Sequence, residues 1–417
     1  MDLIVRNARL RGQKENVDIG VKGSKIEKIM PSIPDRAAQE IDAGGRLVTP
    51  SFVDPHIHLD KILIAETVRD NVSGTLMEAI EIIWERKKNY VIDEIVSRAG
   101  RVVEWAIKNG TTFMRTHVDV DTIVGLKAVE GLLAVKEKYA GVFDLQIVAF
   151  PQEGIIQDPG SAELMEEALK MGADVVGGMP YNEMTFDDSK AHLDICFKLA
   201  KKYDRDLDMH VDETDDDTAR TLQLYAAQAI KEGFRGRVSS GHTCALSAYN
   251  EYYAAKVIGL VHRAGMNMET NPVTNLMLEG RHDQGNIRRG LTRVKQLMAA
   301  GVNVTYGQDC IKDTFYPTFG QADMLEVGQF LCHAVQLSMP HEVEAVYDMA
   351  THNAAKMLRL ADYGIQAGNS ASFNVIDAPS IQEAFRTRAD RLFVIKNGRV
   401  VAKTKTSTEM FLPVRVG

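Results

Sequence analysis

His56 and His58 are separated by one residue, so in an extended segment strand alternation points both imidazoles to the same side. Two imidazoles side by side are cation ligands when further donors converge on them. Such donors are available, because His210, His242 and Asp309 each stand where an apolar, strand-like run gives way to polar sequence. Four histidines and an aspartate at the ends of four separate strands are hard to attribute to packing, since each would bury a polar group in need of a partner. Imidazole with carboxylate suits zinc or ferrous iron. Bridging two cations calls for a further anionic ligand, and the segment Asp174 to Pro180 has neither lysine nor glutamate in its interior. One divalent cation, Fe2+ or Zn2+, is therefore expected, held by His56, His58, His210 and Asp309 with a position left for water.

Three neighbours would complete a hydrolytic site. Glu213, three residues beyond His210, is placed to carry a proton from attacking water to a leaving nitrogen, although alone it reads equally well as a solvated loop acid among Asp212, Asp215, Asp216 and Asp217. His242 could orient the attacking water or polarise the intermediate instead of binding the cation. Gln152, in Phe150-Pro151-Gln152-Glu153-Gly154, presents both a donor and an acceptor to a lactam-like edge.

The elements that must position these groups follow a strand, long amphipathic stretch, strand rhythm. Eight strands are expected: Val48 to His58, Thr112 to Val120, Leu145 to Pro151, Asp174 to Pro180, Leu207 to Asp212, Arg237 to His242, Met266 to Asn271 and Asn303 to Asp309. Between them, helices are expected over Gly74 to Lys88 and over Gly160 to Met171, the latter stopped by Gly172. Eight alternating units predict an α/β chain with a closed (β/α)8 barrel, whose catalytic groups sit at the C-terminal strand ends. A doubly wound open sheet is disfavoured because no GxGxxG turn follows the first strand. The ends of the chain read differently. Short segments at Leu3 to Val5, Val17 to Val21, Lys25 to Met30, Phe373 to Ile376, Leu392 to Ile395 and Val400 to Ala402 predict strands, with Asn397-Gly398 as a hairpin turn. A small β-sandwich is thus expected from residues 1–50 plus 361–417, and the barrel from 51–360.

With 417 residues, 45% hydrophobic, 25% charged and a net charge of -8, the chain can bury a large core and offers no basic face for nucleic acid or an anionic membrane. A small heterocyclic substrate and water are the expected partners, and no stretch approaches the ~20 apolar residues of a membrane span. Met1 to Val5 leads straight into strand-like sequence with no basic leader, which predicts a cytoplasmic protein. Cys196, Cys244, Cys310 and Cys332 lack CxxC spacing and are expected to be reduced.

Several segments together resemble the cytosine deaminase branch of the amidohydrolase superfamily over nearly the full length. They are Pro55-His56-Ile57-His58-Leu59-Asp60, Ser73-Gly74-Thr75-Leu76, Arg115-Thr116-His117-Val118-Asp119-Val120, Val148 to Gly154, His210-Val211-Asp212-Glu213, Gly280-Arg281 and Arg289 to Lys295. The resemblance implies a hydrolytic deaminase with one iron or zinc ion on the four ligands named above. It implies Asp309 as acceptor of a proton from water, Glu213 as proton shuttle and His242 beside the reacting water. Gln152 would meet the carbonyl and ring-nitrogen edge of the base, with Leu76, Cys310 and Phe315 around the ring. Relatives assemble, so a homo-oligomer is expected. A non-catalytic assembly protein of this ancestry would have lost ligands, and none is lost here.

Two departures bear on the substrate. Members of that branch carry a second aspartate after the metal aspartate, where this chain has Cys310, and a tryptophan where it has Phe315. The cysteine removes a charge and a strong acceptor, which predicts a pocket more tolerant of a methyl group, as in 5-methylcytosine or creatinine. Cys310 as a nucleophile is the sharper alternative, but no nearby sequence supplies its base. Lys61 resembles a lysine of the N-isopropylammelide hydrolases, which leaves N-alkylammelide chemistry as an alternative; taken alone, Lys61 reads as a solvated loop residue.

Overall fold

The structure, a computed structural model, describes residues 1–316 and 319–411. Residues 412–417 of the expected terminal unit lie outside them. The chain begins with β1 (Leu3–Ala8), β2 (Val17–Lys22), β3 (Lys25–Met30) and β4 (Gln39–Asp42), which form one sheet in the order β3-β2-β1-β4. β4 carries two exposed glutamate and glutamine positions and a single buried apolar one, Ile41, too weak an alternation to be read from sequence. β5 (Leu47–Pro50) then crosses to a second sheet.

The expected first strand, Val48 to His58, is two strands. β5 pairs antiparallel with the C-terminal β-structure, while β6 (Phe52–Ile57) opens the barrel. The division falls at Pro50, which has no N–H to donate to a ladder and so marks where the chain can leave one sheet for another.

Seven more strands follow: β7 (Thr111–Asp119), β8 (Asp144–Phe150), β9 (Val175–Val176), β10 (Asp206–Val211), β11 (Val238–His242), β12 (Asn267–Thr270) and β13 (Asn303–Tyr306). With β6 they form one eight-stranded sheet in sequence order, every neighbouring pair parallel. Helices alternate with them, including α1 (Leu76–Lys87), whose first turn is capped by the Thr75 side chain accepting from the Glu78 N–H. This is the (β/α)8 barrel expected from the pattern. None of the helices among the described residues is long and apolar enough to cross a membrane.

β9 is shorter than the predicted Asp174 to Pro180. A Cβ on Gly177 would lie 2.5 Å from the Ala149 carbonyl oxygen and 2.9 Å from the Phe150 Cα. The backbone here approaches its neighbour too closely for a side chain; the strand ends at Val176, although the Gly177 N–H still donates to the Ala149 carbonyl and the Gly178 carbonyl accepts from the His210 N–H, both at 2.9 Å.

The barrel closes through the candidate ligands themselves. Beyond β13, the Asp309 N–H donates to the His56 carbonyl at 2.8 Å and the His58 N–H donates to the Asp309 carbonyl at 3.1 Å. These bonds seal the seam between the last and first strands, and they fix Asp309 beside both histidines.

β14 (Phe373–Ile376), β15 (Arg391–Lys396) and β16 (Arg399–Lys403) complete the second terminal sheet, in the order β16-β15-β14-β5. Asn397 and Gly398 both have positive φ, 50° and 78°, as the tight hairpin between β15 and β16 requires. The two terminal sheets share one apolar cluster, with Leu3, Val5, Ile19 and Ile41 from the first and Val48, Phe373, Val375 and Ile395 from the second. All four cysteines are free thiols.

Candidate active site

Every residue singled out as a ligand or catalytic group comes to one end of the barrel. His58, His210, Glu213, His242 and Asp309 line one cavity, together with Lys61, Leu76, Gln152, Cys310 and Phe315. His56 lies immediately behind, fully buried.

The donor atoms fall into overlapping triads close enough to share a cation, His56 with His58 and Asp309, and His56 with His210 and His242. His58 Nε2 stands 3.1 Å from His210 Nε2, and Asp309 Oδ1 lies 3.5 Å from His56 Nε2 and 3.4 Å from His58 Nε2. Nitrogen ligands ~2.1 Å from a tetrahedral cation stand ~3.4 Å apart. His56 Nε2 and Asp309 Oδ2 are buried without a protein partner, so the chain leaves them for something else to satisfy. The donor set therefore fits a divalent cation. His56 is oriented from behind by Glu269, whose carboxylate meets Nδ1 and so turns Nε2 toward Asp309.

Electrostatics favour the ligand protonation state at two of these histidines. Burial holds His58 well below its ordinary value, helped by the charge of Lys61, and burial with the charge of His56 does the same for His210. Both are thereby neutral imidazoles with a lone pair to give. At His56 burial also acts downward, but Glu269 and Asp309 outweigh it and the net shift is upward.

Backbone strain gathers at the same place. Asp212, His242, Thr243 and Asp309 have φ of 48°, 64°, 50° and 64°. Non-glycine residues in this left-handed region cost about 1–3 kcal/mol each and persist where the surroundings over-determine them. The turn at Asp212 is held by its buried carboxylate, which accepts from the Thr221 and Leu222 N–H groups at 3.2 and 2.9 Å at the start of the next helix. Asp212 is therefore structural, while Glu213, one residue on, projects to the cavity.

Glu213 is 5% exposed, not a solvated loop acid. Its Oε1 lies 2.9 Å from His242 Nδ1 and accepts from Asn275 Nδ2 at 3.0 Å. Asn275 Oδ1 is 3.1 Å from the same His242 Nδ1, and the Asn271 side-chain N–H meets His242 Nε2 at 3.2 Å. His242 Nδ1 faces two acceptors and must carry the proton, so the imidazole donates toward Glu213. With Oε1 engaged, Oε2 of Glu213 is left for chemistry.

Lys61 corrects the sequence reading most. It is 1% exposed and forms an ion pair with Asp119 at 2.5 Å, and it donates to the side-chain oxygen of Gln152. Gln152 consequently offers the cavity its Nε2 donor, with its oxygen already engaged. Lys61 belongs to a larger buried set: Lys87 Nζ lies 3.3 Å from Asp119, 2.6 Å from Asp121 and 2.6 Å from Glu153, whose other oxygen accepts from the Trp84 indole. The sequence reading assigned no role to Asp119, Lys87, Glu153, Glu269 or Asn275. Asp119 stands at the end of predicted strand two and Glu153 two residues beyond predicted strand three, which is the available signal.

Cys310 lines the wall with its thiol held well above the ordinary value by burial and by Asp309. A thiol that stays protonated is a poor nucleophile, which favours the wall over the nucleophile.

A model of the amidohydrolase family matches residues 39–402. The crystal structure of 5-methylcytosine deaminase from Klebsiella pneumoniae with 5-fluorocytosine superposes with a TM-score of 0.94 at 37% identity, covering 98% of this chain and 99% of that one. N-isopropylammelide isopropyl amidohydrolase of Pseudomonas sp. (strain ADP) is 33% identical over 96% of this chain and 97% of its own length. Pterin deaminase of Rhizobium rhizogenes is 32% identical over 93% and 88%.

Proposed function

Because the chain belongs to the amidohydrolase family, we propose that it is a metal-dependent hydrolytic deaminase that releases ammonia from cytosine or a cytosine-like cyclic amidine, 5-methylcytosine included. The observation that carries this reading is the cavity itself, which is lined by His58, His210, His242, Asp309 and Gln152, with the Glu213 carboxylate close to His242 and Asp309. His56, His58, His210 and Asp309 would hold one Fe2+ or Zn2+, which when bound lowers the pKa of water from 15.7 toward ~7.

The chain's residues do the rest. Asp309 takes a proton from the attacking water as its oxygen adds to the amino-bearing ring carbon. Glu213 moves protons to the ring nitrogen and then to the amine, the C–N bond breaks, and ammonia leaves behind a carbonyl. His242 fixes the Glu213 carboxylate through Nδ1–H. Gln152 Nε2 donates to the ring carbonyl, while Leu76, Phe315 and Cys310 enclose the ring.

Substrate choice turns on Cys310. Restoring an acid there by Cys310→Asp places a second carboxylate against the ring and is expected to cut kcat/KM for 5-methylcytosine relative to cytosine about tenfold or more, the scale of one methyl group in a pocket. An unchanged ratio would mean that Cys310 does not meet the methyl position. The broader test measures ammonia from cytosine, 5-methylcytosine and creatinine, and isopropylamine from N-isopropylammelide. The last reading is favoured by Lys61 in the cavity wall and by the similarity to an enzyme of that name. Silence on all four substrates would sink the proposed substrate class.

A further inference from the structure

An ammonium group only donates hydrogen bonds, so contact between Lys61 Nζ and the side-chain oxygen of Gln152 settles which way that amide points. The oxygen faces Lys61 and Nε2 faces away, buried and without a protein partner, in a residue that lines the cavity. The Gln152 backbone is held separately, its carbonyl accepting from Asn182 Nδ2 at 2.7 Å. Lys61 is equally fixed. Its Nζ lies 2.5 Å from Asp119 Oδ1 and 5.5 and 5.8 Å from the centroids of the Phe150 and Phe315 rings. Asp119 is held in place by Lys87 and by its own N–H, which donates to Asp60 Oδ2 at 3.1 Å.

A free glutamine amide has two near-equal orientations about its terminal torsion, and a half-turn exchanges a donor for an acceptor. We propose that Lys61 is a positioning residue that locks the Gln152 amide in one orientation, so that this end of the cavity presents hydrogen-bond donors and selects rings carrying a carbonyl oxygen there. The inference rests on the cytosine-like reading of the site and adds to it the group that sets the polarity of ring recognition. Lys61 acts through Gln152 and takes no part in the proton transfers.

The test compares wild type, Lys61→Met, Gln152→Leu and the double variant on cytosine and on 4-aminopyrimidine, which has the same reacting carbon and no carbonyl. Calorimetry adds the binding of uracil against 4(3H)-pyrimidinone, the products with and without that carbonyl. Lys61→Met is expected to lower kcat/KM for cytosine about tenfold, mainly through KM, to leave 4-aminopyrimidine nearly unchanged, and to remove most of the further cost of Gln152→Leu. Equal losses on both bases, or losses that simply multiply in the double variant, would overturn the proposal. Should Lys61→Met fail to fold, two conservative variants decide. Lys61→Arg, still donor-only, is expected to keep the preference for uracil over pyrimidinone, and Lys61→Gln, which can show Gln152 either an N–H or an oxygen, is expected to lose it. The opposite order would refute the role. A wild type that prefers uracil in calorimetry yet releases no ammonia from cytosine would count against the deaminase reading alone.

Discussion

Glu213→Gln is expected to lower kcat by about 10²- to 10⁴-fold while leaving the protein folded and its cation content unchanged. Glutamine keeps the shape and one oxygen, so the bonds to Asn275 Nδ2 and His242 Nδ1 at Oε1 can survive. What it cannot do is pick up and hand on a proton. In the proposed reaction the water adding to the ring and the amine leaving it both depend on that transfer, so the loss should fall on kcat more than on KM. Steady-state kinetics with ammonia detection, beside metal analysis of the same preparation, checks this. A variant with near wild-type kcat would remove Glu213 from the proton path and leave it a scaffold for His242.

The second large effect concerns stability. Lys87→Met should destabilise the fold by about 3–5 kcal/mol, because it leaves Asp119, Asp121 and Glu153 buried together with their central cation gone. Burial alone would push the Lys87 pKa down, but the three carboxylates outweigh it and raise it above the ordinary 10.5. A base whose folded pKa is raised contributes stability that is fully present below its unfolded value and is lost only as pH rises through the folded one. At neutral pH the whole contribution is therefore in place. In the variant, the crowded carboxylates are expected to take up protons as pH falls, so the deficit relative to wild type should shrink toward acid. Denaturant unfolding of both proteins at two pH values measures it. A deficit below about 1 kcal/mol, or one that grows toward acid, would contradict this account of the cluster. Trp84 and Lys87 both lie on α1, which also brings Leu76 and Ile80 to the cavity, so the cluster braces that cavity wall.

The convergence of the imidazoles and Asp309 was legible because its logic is local. His56-Ile57-His58 needs only strand alternation, and His210, His242 and Asp309 each end a recognisable apolar run. The eight-unit rhythm supplied the closure that brings Asp309 back to His56 and His58. Failures arose where the deciding neighbour is distant in the chain. Lys61 read as a solvated loop residue because its partners Asp119 and Gln152 lie 58 and 91 residues away, and only the folded barrel brings them beneath it. The acceptor expected of Gln152 is engaged by Lys61, a partner equally distant in the chain. Val48 to His58 read as one strand because apolar content runs continuously across Pro50, while the change of sheet depends on pairing with β14. At β9 the close approach of the Ala149 backbone to Gly177 leaves no mark on hydrophobic periodicity.

The central claim is that His56, His58, His210 and Asp309 hold one divalent cation on which ammonia release from a cytosine-like ring depends. Titrating chelator-stripped protein with Fe2+ or Zn2+, while following ammonia released from cytosine and 5-methylcytosine, tests it most directly. Activity should be absent without metal, rise linearly and stop at one equivalent per chain, with Asp309→Asn failing to follow. Ammonia release that survives complete metal removal, or a fully loaded protein that releases none, would contradict the account.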